Sequence, residues 1–389
     1  MKFAVTLSKS VDTEVAALDV ASDIRQQLGG TASDLVCLFF SAHHVAGADH
    51  LVSILRETLH ANVLIGCSGE GVIAGAEEVE TMPAVGVWAA ILPNVHLHPV
   101  RSSFSPTQDQ FHLTGWPEPG VGDGSFLLLA DPFTTPVQEM LGVMEERYPG
   151  AKAMGGLAGG GQEAGMNRLV LNDQVFDDGL VGVRLSGAVE IRPVISQGCR
   201  LIGDRFVVTK AEGNLIHELG GEPALERLQA VFASLPEEGR QRAHRALHLG
   251  IVIDEHRNRF ERGDFLIRNL LGAERTTGAV AIGDVVQEGQ TVQFHLRDAA
   301  SATEDLHALL ATDRATHQHP PLGGLMFSCC GRGRGLFGRP DHDVTAAKEQ
   351  LGAIPLAGFF AQGEIGPVGH RNFLHGYTAS LALFAEREH

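Results

Sequence analysis

The run Leu35-Val36-Cys37-Leu38-Phe39-Phe40 leads through a segment carrying Leu51, Ile54, Leu55 and Leu59 to Val63-Leu64-Ile65-Gly66-Cys67-Ser68-Gly69-Glu70-Gly71. An unbroken apolar run of this length reads as a strand buried on both faces, and leucines spaced three and four apart read as a helix stripe. The second run then closes on small residues. The same grammar returns at Phe126-Leu127-Leu128-Leu129-Ala130, through Val137, Met140, Leu141 and Met144, to Ala153-Met154-Gly155-Gly156-Leu157-Ala158-Gly159-Gly160-Gly161. It returns again at Gly324-Leu325-Met326-Phe327-Ser328-Cys329-Cys330, through a helix around Val344 to Leu351, to Ile354-Pro355-Leu356-Ala357-Gly358. The strand starts lie 28 residues apart (35 to 63), then 27 (126 to 153), then 30 (324 to 354). That length suits a βαβ crossover, which lays its two strands parallel in one sheet. The expected fold is α/β: two related halves with mixed β-sheets flanked by helices, built from repeated strand–helix–strand units.

Outward from these units, Ala17, Ala21, Ile24 and Leu28 mark a first helix from about Val15 to Leu28, with Asp12 or Thr13 as cap. Val189, Ile191 and Ile195 mark a strand, as do Val292, Phe294 and Leu296, with Gln293, His295 and Arg297 on the opposite face. Phe206-Val207-Val208-Thr209 and Leu215-Ile216-His217 flank a turn at Glu212-Gly213-Asn214. A helix is expected from Glu222-Pro223, and a surface loop or frayed helix end over Pro236 to Arg245. The domain boundary is set near Gly220-Gly221, giving domains 1–220 and 221–389.

The composition excludes several classes. At 389 residues the chain has enough length for two or three domains, and 44% hydrophobic residues suffice for a core. Thirty basic against 47 acidic residues leave a net charge of −17, which argues against a nucleic-acid partner. Five cysteines, an odd number, argue against a disulfide framework and for a reducing compartment. Met1 to Ser10 lacks the basic flank and apolar run of a signal peptide, and no apolar stretch approaches membrane-spanning length. The expectation is a cytoplasmic protein without a membrane partner. Glycine, at 47 residues, clusters after apolar runs, where backbone bends tightly or approaches something closely.

Four stretches carry the chemistry. Gly66-Cys67-Ser68-Gly69-Glu70-Gly71 offers small residues whose backbone N–H groups would converge on an anion. It lacks the Lys-Ser/Thr ending of a phosphate loop, and a plain turn reads equally well. In Ser328-Cys329-Cys330-Gly331-Arg332-Gly333-Arg334, two arginines would favour a thiolate, so Cys329 or Cys330 is a candidate nucleophile. Arg332 is equally a clamp for an anionic group. Gly358-Phe359-Phe360-Ala361-Gln362-Gly363-Glu364-Ile365-Gly366-Pro367 sets Gln362 and Glu364 in an apolar frame, where the carboxylate needs a partner such as an amino group or Arg371. In Asn372-Phe373-Leu374-His375-Gly376-Tyr377-Thr378, His375 and Thr378 would share a helix face. His96 and His98 share a strand face and make half a metal site at most. No G-x-S-x-G elbow supports a serine triad.

At these stretches, together with Val208-Thr209-Lys210-Ala211-Glu212-Gly213-Asn214, Phe265-Leu266-Ile267-Arg268-Asn269-Leu270-Leu271-Gly272 and Gln293-Phe294-His295-Leu296-Arg297-Asp298, the sequence resembles the FIST family. The resemblance spans about residues 33 to 384 and implies paired N- and C-terminal FIST domains, small-ligand sensory modules of signal transduction. It implies an amino acid or similar ligand between the two halves. The ligand-binding set expected on this reading is Gly66, Cys67, Ser68, Arg268, Asn269, Arg297, Cys329, Arg332, Gln362, Glu364 and His375. Arg332 or Arg297 would hold a carboxylate, and Glu364 an amino group. A branch of the family resembles haem-dependent nitric-oxide sensors, which makes haem the rival cofactor, although no C-x-x-C-H motif is present. The sequence shows no kinase, cyclase, methyl-accepting or F-box segment, so the expected output is a separate signalling protein such as a kinase or cyclase.

Overall fold

Leu35, Cys37 and Phe39 face one side of their strand, Val36, Leu38 and Phe40 the other, and both sides are buried. This explains why the run is apolar throughout rather than alternating. The computed structural model describes residues 1–118, 124–257 and 259–387. In chain order, β1 (Lys2–Ser8), α1 (Thr13–Gln27), β2 (Leu35–Ser41), α2 (Ala48–Leu59) and β3 (Val63–Gly69) precede β4 (Val72–Ala74), β5 (Glu77–Val79), β6 (Val85–Ile91), β7 (Val95–Ser105) and β8 (Gln110–Thr114). Then come β9 (Ser125–Ala130), α3 (Val137–Arg147), β10 (Lys152–Leu157), β11 (Leu169–Leu171), β12 (Gln174–Phe176), β13 (Leu180–Gly187) and β14 (Val189–Ser196). They are followed by β15 (Cys199–Glu212), β16 (Leu215–Leu219), β17 (Glu222–Pro223), α4 (Ala224–Ser234), α5 (Glu237–Ala246), β18 (Leu247–Val252), β19 (Phe265–Ala273), β20 (Val280–Ile282), β21 (Thr291–Arg297) and α6 (Ala299–Thr316). The last elements are β22 (Gly323–Cys329), α7 (Gly333–Phe337), α8 (His342–Leu351), β23 (Leu356–Ala361), β24 (Glu364–Val368), β25 (Arg371–His375) and β26 (Ala379–Glu386).

All three repeated units are parallel pairs. Leu35 lies opposite Val63, Ser125 opposite Lys152, and Gly324 opposite Leu356. The elements fall into two compact units, Met1–Ile195 with His307–His389, and Ser196–Leu306. The larger unit therefore joins segments from both ends of the chain. Its sheets run β1-β6-β2-β3-β11-β12, β25-β24-β10-β9-β13-β7-β8 and β14-β26-β22-β23-β4-β5. Inner faces of all three meet in one core, where Phe39, Ile65, Leu127, Met154, Phe327 and Phe359 are buried together. Helices α1 and α2 cover the outer face of the first sheet through Ile24, Leu51 and Leu55, and Met140, Leu141 and Met144 of α3 cover the second.

The smaller unit is a sheet ordered β15-β21-β18-β19-β20-β16-β17. Val231, Leu235 and Ala243 pack onto Leu249, Phe294 and Leu296. Of the two readings of Pro236 to Arg245, a surface loop or a frayed helix end, neither is quite met: residues 237–246 form a helix of their own, with Glu237 and Glu238 at its positive end, Arg240 bonded back to Glu237 at 2.7 Å, and Ala243 buried. The sequence is too polar there for an apolar stripe to announce it. His375 lies in β25 and Thr378 just beyond, so the two do not share a helix face. The turn of the β24–β25 hairpin falls at Gly369, whose φ is +61°.

Candidate functional site

The C-terminal ends of the three parallel units close on one another in the larger unit. Gly159 N donates to Ser68 O at 3.0 Å, Glu70 N to Phe360 O at 3.1 Å, and Gln362 N to Leu157 O at 3.1 Å. Cys330 N donates to Ala361 O at 2.9 Å. Side chains finish the seam: Glu70 Oε2 accepts from Gly160 N at 3.2 Å, and Gln362 Nε2 donates to Gly161 O at 3.1 Å. The contacts explain the glycines, because a Cβ on Gly160 would lie 3.1 Å from the Cβ of Ala42 and its φ is +91°. Gly66, Cys67 and Ser68 lie inside β3, fully buried, between β2 and β11. A Cβ on Gly66 would fall 2.4 Å from Leu38 O. Ser68 Oγ accepts from Arg168 N at 3.1 Å, and burial pushes the Cys67 thiol up.

Below this seam lies a buried charged network. Arg332, just before α7, donates from Nε to Asp343 Oδ2 at 2.6 Å and from Nη2 to Asp343 Oδ1 at 2.8 Å. Ser328 Oγ and His342 Nδ1 also reach the Asp343 carboxylate, at 3.1 and 2.9 Å. Burial opposes both charges, but the pairing outweighs it: Arg332 is raised and Asp343 held well below the usual carboxylate range. Glu78 Oε1 accepts from the Asp343 and Val344 N–H groups at 2.8 and 2.9 Å, capping α8. Burial, then the neighbouring Asp343 charge, push Glu78 up to about 8.

Glu364 and His375 belong to the same region. Glu364 Oε2 accepts from Thr378 N at 3.1 Å, and its charge reaches Arg332. His375 Nε2 meets Gly366 O at 3.0 Å. Arg371 pairs with Glu145 at 3.2 Å rather than with Glu364. Thus Cys329, Arg332, Gln362, Glu364 and His375 gather in the larger unit, with Asp343 and Glu78 as partners that sequence reading missed. A carboxylate needs its spatial partner to be recognised, and Glu78 is 265 residues from Asp343.

Arg268, Asn269 and Arg297 belong to the smaller unit. Arg268 Nε bonds Asp284 Oδ2 at 2.5 Å, and Asn269 lies opposite His248 across β18 and β19. Arg297 ends β21 and is 9% exposed. On the same sheet His248 faces His295 across the strands. Burial takes both down to about 4, so both are neutral at neutral pH.

A cavity of about 680 Å³ opens within the larger unit at the other end of the parallel strands. It lies where β9 and β10 begin, beside β14 and the C-terminal end of α6. Lys152, Glu190, Arg192, His317 and Arg387 line it, with Tyr148 as an aromatic wall. Arg192 is buried and fixed: Nε meets Glu190 at 3.3 Å, Nη1 donates to His319 O at 2.9 Å, and Asp313 stands 4.0 Å away. Burial pushes the Asp313 carboxyl up, and His317 Nδ1 lies 3.2 Å from it. The alternation Val189-Glu190-Ile191-Arg192 held the signal, since it puts an acid and a base together on one strand face. Haem needs an apolar slot with an axial His or Cys. This lining, three cations and one imidazole already held by Asp313, does not fit it.

Three parallel units, drawn from both ends of the chain and sharing one core, define a paired-domain α/β protein whose halves interleave. The chain belongs to the FIST family: the FIST N domain matches residues 34–222 and the FIST C domain residues 224–367. FIST domains are sensory and signal-transduction domains, and that is the class of role. The chain is similar to the uncharacterized protein Rv0628c of Mycobacterium tuberculosis, 43% identical over 99% of this chain and 100% of that one. It is also similar to the uncharacterized protein Mb0898c of Mycobacterium bovis, 41% identical over 99% of both. Among the described residues no helix is long and apolar enough to cross a membrane.

Proposed function

We propose that this chain is a non-enzymatic sensory protein that takes a small polar ligand, an amino acid or a similar metabolite, into the cavity of its larger unit. One observation carries the reading. The cavity is lined both by residues 124–125, 148–152, 185–186 and 189–192, within the N-domain match, and by residues 316–318 and 387, from the far end of the chain. An occupant would touch both stretches, and a volume of about 680 Å³ lies within the range of small-molecule sites. The lining supplies both signs: Lys152 and Arg387 suit a carboxylate, and Glu190 with the last carbonyls of α6 suits an amino group. The output passes to a separate signalling protein, a kinase or cyclase being the natural class.

A thermal-shift screen of amino acids and related metabolites tests this, because a ligand that binds only the folded state raises its melting temperature. A stabilising compound should lose its effect on Ser186→Trp, which fills the cavity from its wall. A compound that stabilises the variant as well as the wild type binds elsewhere and sinks the assignment.

A further inference from the structure

We infer that the smaller unit reads the state of the cavity through β14 and α6, and that the Arg192–Asp313 pair is the joint on which this turns. The inference rests on the proposed reading of the cavity only for its trigger, an occupant. The chain passes between the two units twice, at Ile195–Ser196 and at Leu306–His307. The first crossing falls inside β14 and the second inside α6. The same two elements wall the cavity, β14 with Val189 to Arg192 and α6 with Thr316, followed by His317 and Gln318. A ligand there touches both segments of chain that lead into the smaller unit.

Polar contacts tie β14 to α6 on each side of the crossings. In the smaller unit Asp305 Oδ2 accepts from Ser196 Oγ at 2.8 Å and from Gly198 N at 3.3 Å, and Asp305 Oδ1 stands 3.8 Å from Arg262. That tie is complete. In the larger unit Arg192 Nη1 donates to His319 O, just past α6, at 2.9 Å, and His317 Nδ1 lies 3.2 Å from Asp313 Oδ1. Asp313 Oδ2, however, is 4.0 Å from Arg192 Nη1, beyond a hydrogen bond, and this buried oxygen has no hydrogen-bond partner among the described residues. An oxygen left in that state is costly, and closing the gap by about 1 Å would give it a charge-assisted bond. The pair thus has an open and a closed arrangement, and a group that touches Arg192 or His317 biases one against the other. Ser196 is four residues from Arg192 along β14, and Asp305 eight from Asp313 along α6, so a shift at the joint arrives at the complete tie through two regular elements.

The test uses the full chain without ligand, so its outcome is separate from that of the thermal-shift screen. Hydrogen exchange is followed in Arg192→Gln, Asp313→Asn and Asp305→Asn, with circular dichroism to check the fold. Arg192→Gln or Asp313→Asn should speed exchange about five-fold or more over residues 299–306 of the smaller unit, and leave Val280–Ile282 of β20 unchanged. Asp305→Asn should do the same over residues 189–192 and 316–318 of the larger unit, because coupling is reciprocal. Combining Asp305→Asn with either larger-unit variant should give less than the product of the single effects, although Arg192 and Asp305 share none of the partners named above. Leu51→Ala, which loosens the larger unit at α2, should leave residues 299–306 as in the wild type. If Arg192→Gln does not fold, Asp313→Asn, an isosteric change, decides by the same criteria. Faster exchange confined to each variant's own unit overturns the inference, as does a double variant equal to the product. An equal rise in Leu51→Ala overturns it too, by showing general loosening, and each of these results leaves the ligand reading of the cavity standing.

Discussion

Arg332 and Asp343 meet at two points, 2.6 and 2.8 Å, with both side chains cut off from water. The pair ties the loop after β22 to the start of α8, and Glu78 of β5 holds the same helix start. A guanidinium spent in this way is an internal fastener. Removing one partner leaves a buried charge without compensation, which costs about 3–5 kcal/mol. Asp343→Ala should therefore lower the unfolding free energy of the larger unit by that amount, read from its urea unfolding curve. Trp88, buried against Phe3 and Phe384, supplies the fluorescence signal. Arg332→Met/Asp343→Leu should lose less than the single variant. A loss below about 1 kcal/mol for Asp343→Ala contradicts the internal-fastener account.

Glu78 makes the fold lose stability as pH rises from the acid range to about 8. Its folded value, about 8, lies above the ordinary carboxylate value, so the folded state binds the proton more tightly. Its stabilising contribution is full below the unfolded value and fades as pH rises through the folded one. Melting temperature should therefore fall between about pH 4.5 and 8 and level off above that. Glu78→Gln, which keeps an oxygen acceptor for the Asp343 and Val344 N–H groups, should flatten that slope. An unchanged slope in the variant would show that another group sets it.

Gly358 should tolerate no side chain. A Cβ there would fall 1.7 Å from Met326 O, its partner in the parallel pair of β22 and β23. Gly358→Ala should abolish the folded larger unit, seen as loss of the Trp88 signal. Gly142, exposed in α3 with nothing within 4 Å of a built Cβ, should behave oppositely. Gly142→Ala should gain about 1 kcal/mol from helix propensity alone. Equal behaviour of the two variants would refute the close-approach reading of the strand glycines.

The contrast also shows what was legible in the sequence. The βαβ units were readable because both strand faces are buried, so Leu35 to Phe40 and Phe126 to Ala130 carry their structure in composition alone. The hairpin at Gly213 was readable because φ is +59° there, a conformation glycine supplies. The cavity was not. Glu190 and Arg192 share a strand face, but Lys152 and Arg387 lie far from them along the chain, and no motif joins the three segments. The strand-end glycines advertised a site because close backbone approach and ligand binding leave the same trace in sequence. Here that trace belongs to interlocked turns, as Gly159 on Ser68 and Gln362 on Gly161 show.

Thiol reactivity separates a sensor from an enzyme with a cysteine nucleophile. Cys37, Cys67, Cys199 and Cys329 are buried and Cys330 is exposed. Burial pushes the Cys37 and Cys67 thiols up, away from thiolate. Mild alkylation of the native protein should label Cys330 first, no faster than free cysteine, and leave the other four unmodified until denaturant is added. Rapid labelling of Cys329 would favour the nucleophile reading.

The central claim is where the ligand sits, and hydrogen–deuterium exchange with and without a stabilising compound tests it most directly. The account predicts slowed exchange over residues 148–152, 185–192 and 316–318, around the cavity. Protection confined to 66–71 and 358–364, or to 265–269 and 293–297, would contradict it and return the site to the strand-end turns or to the smaller unit.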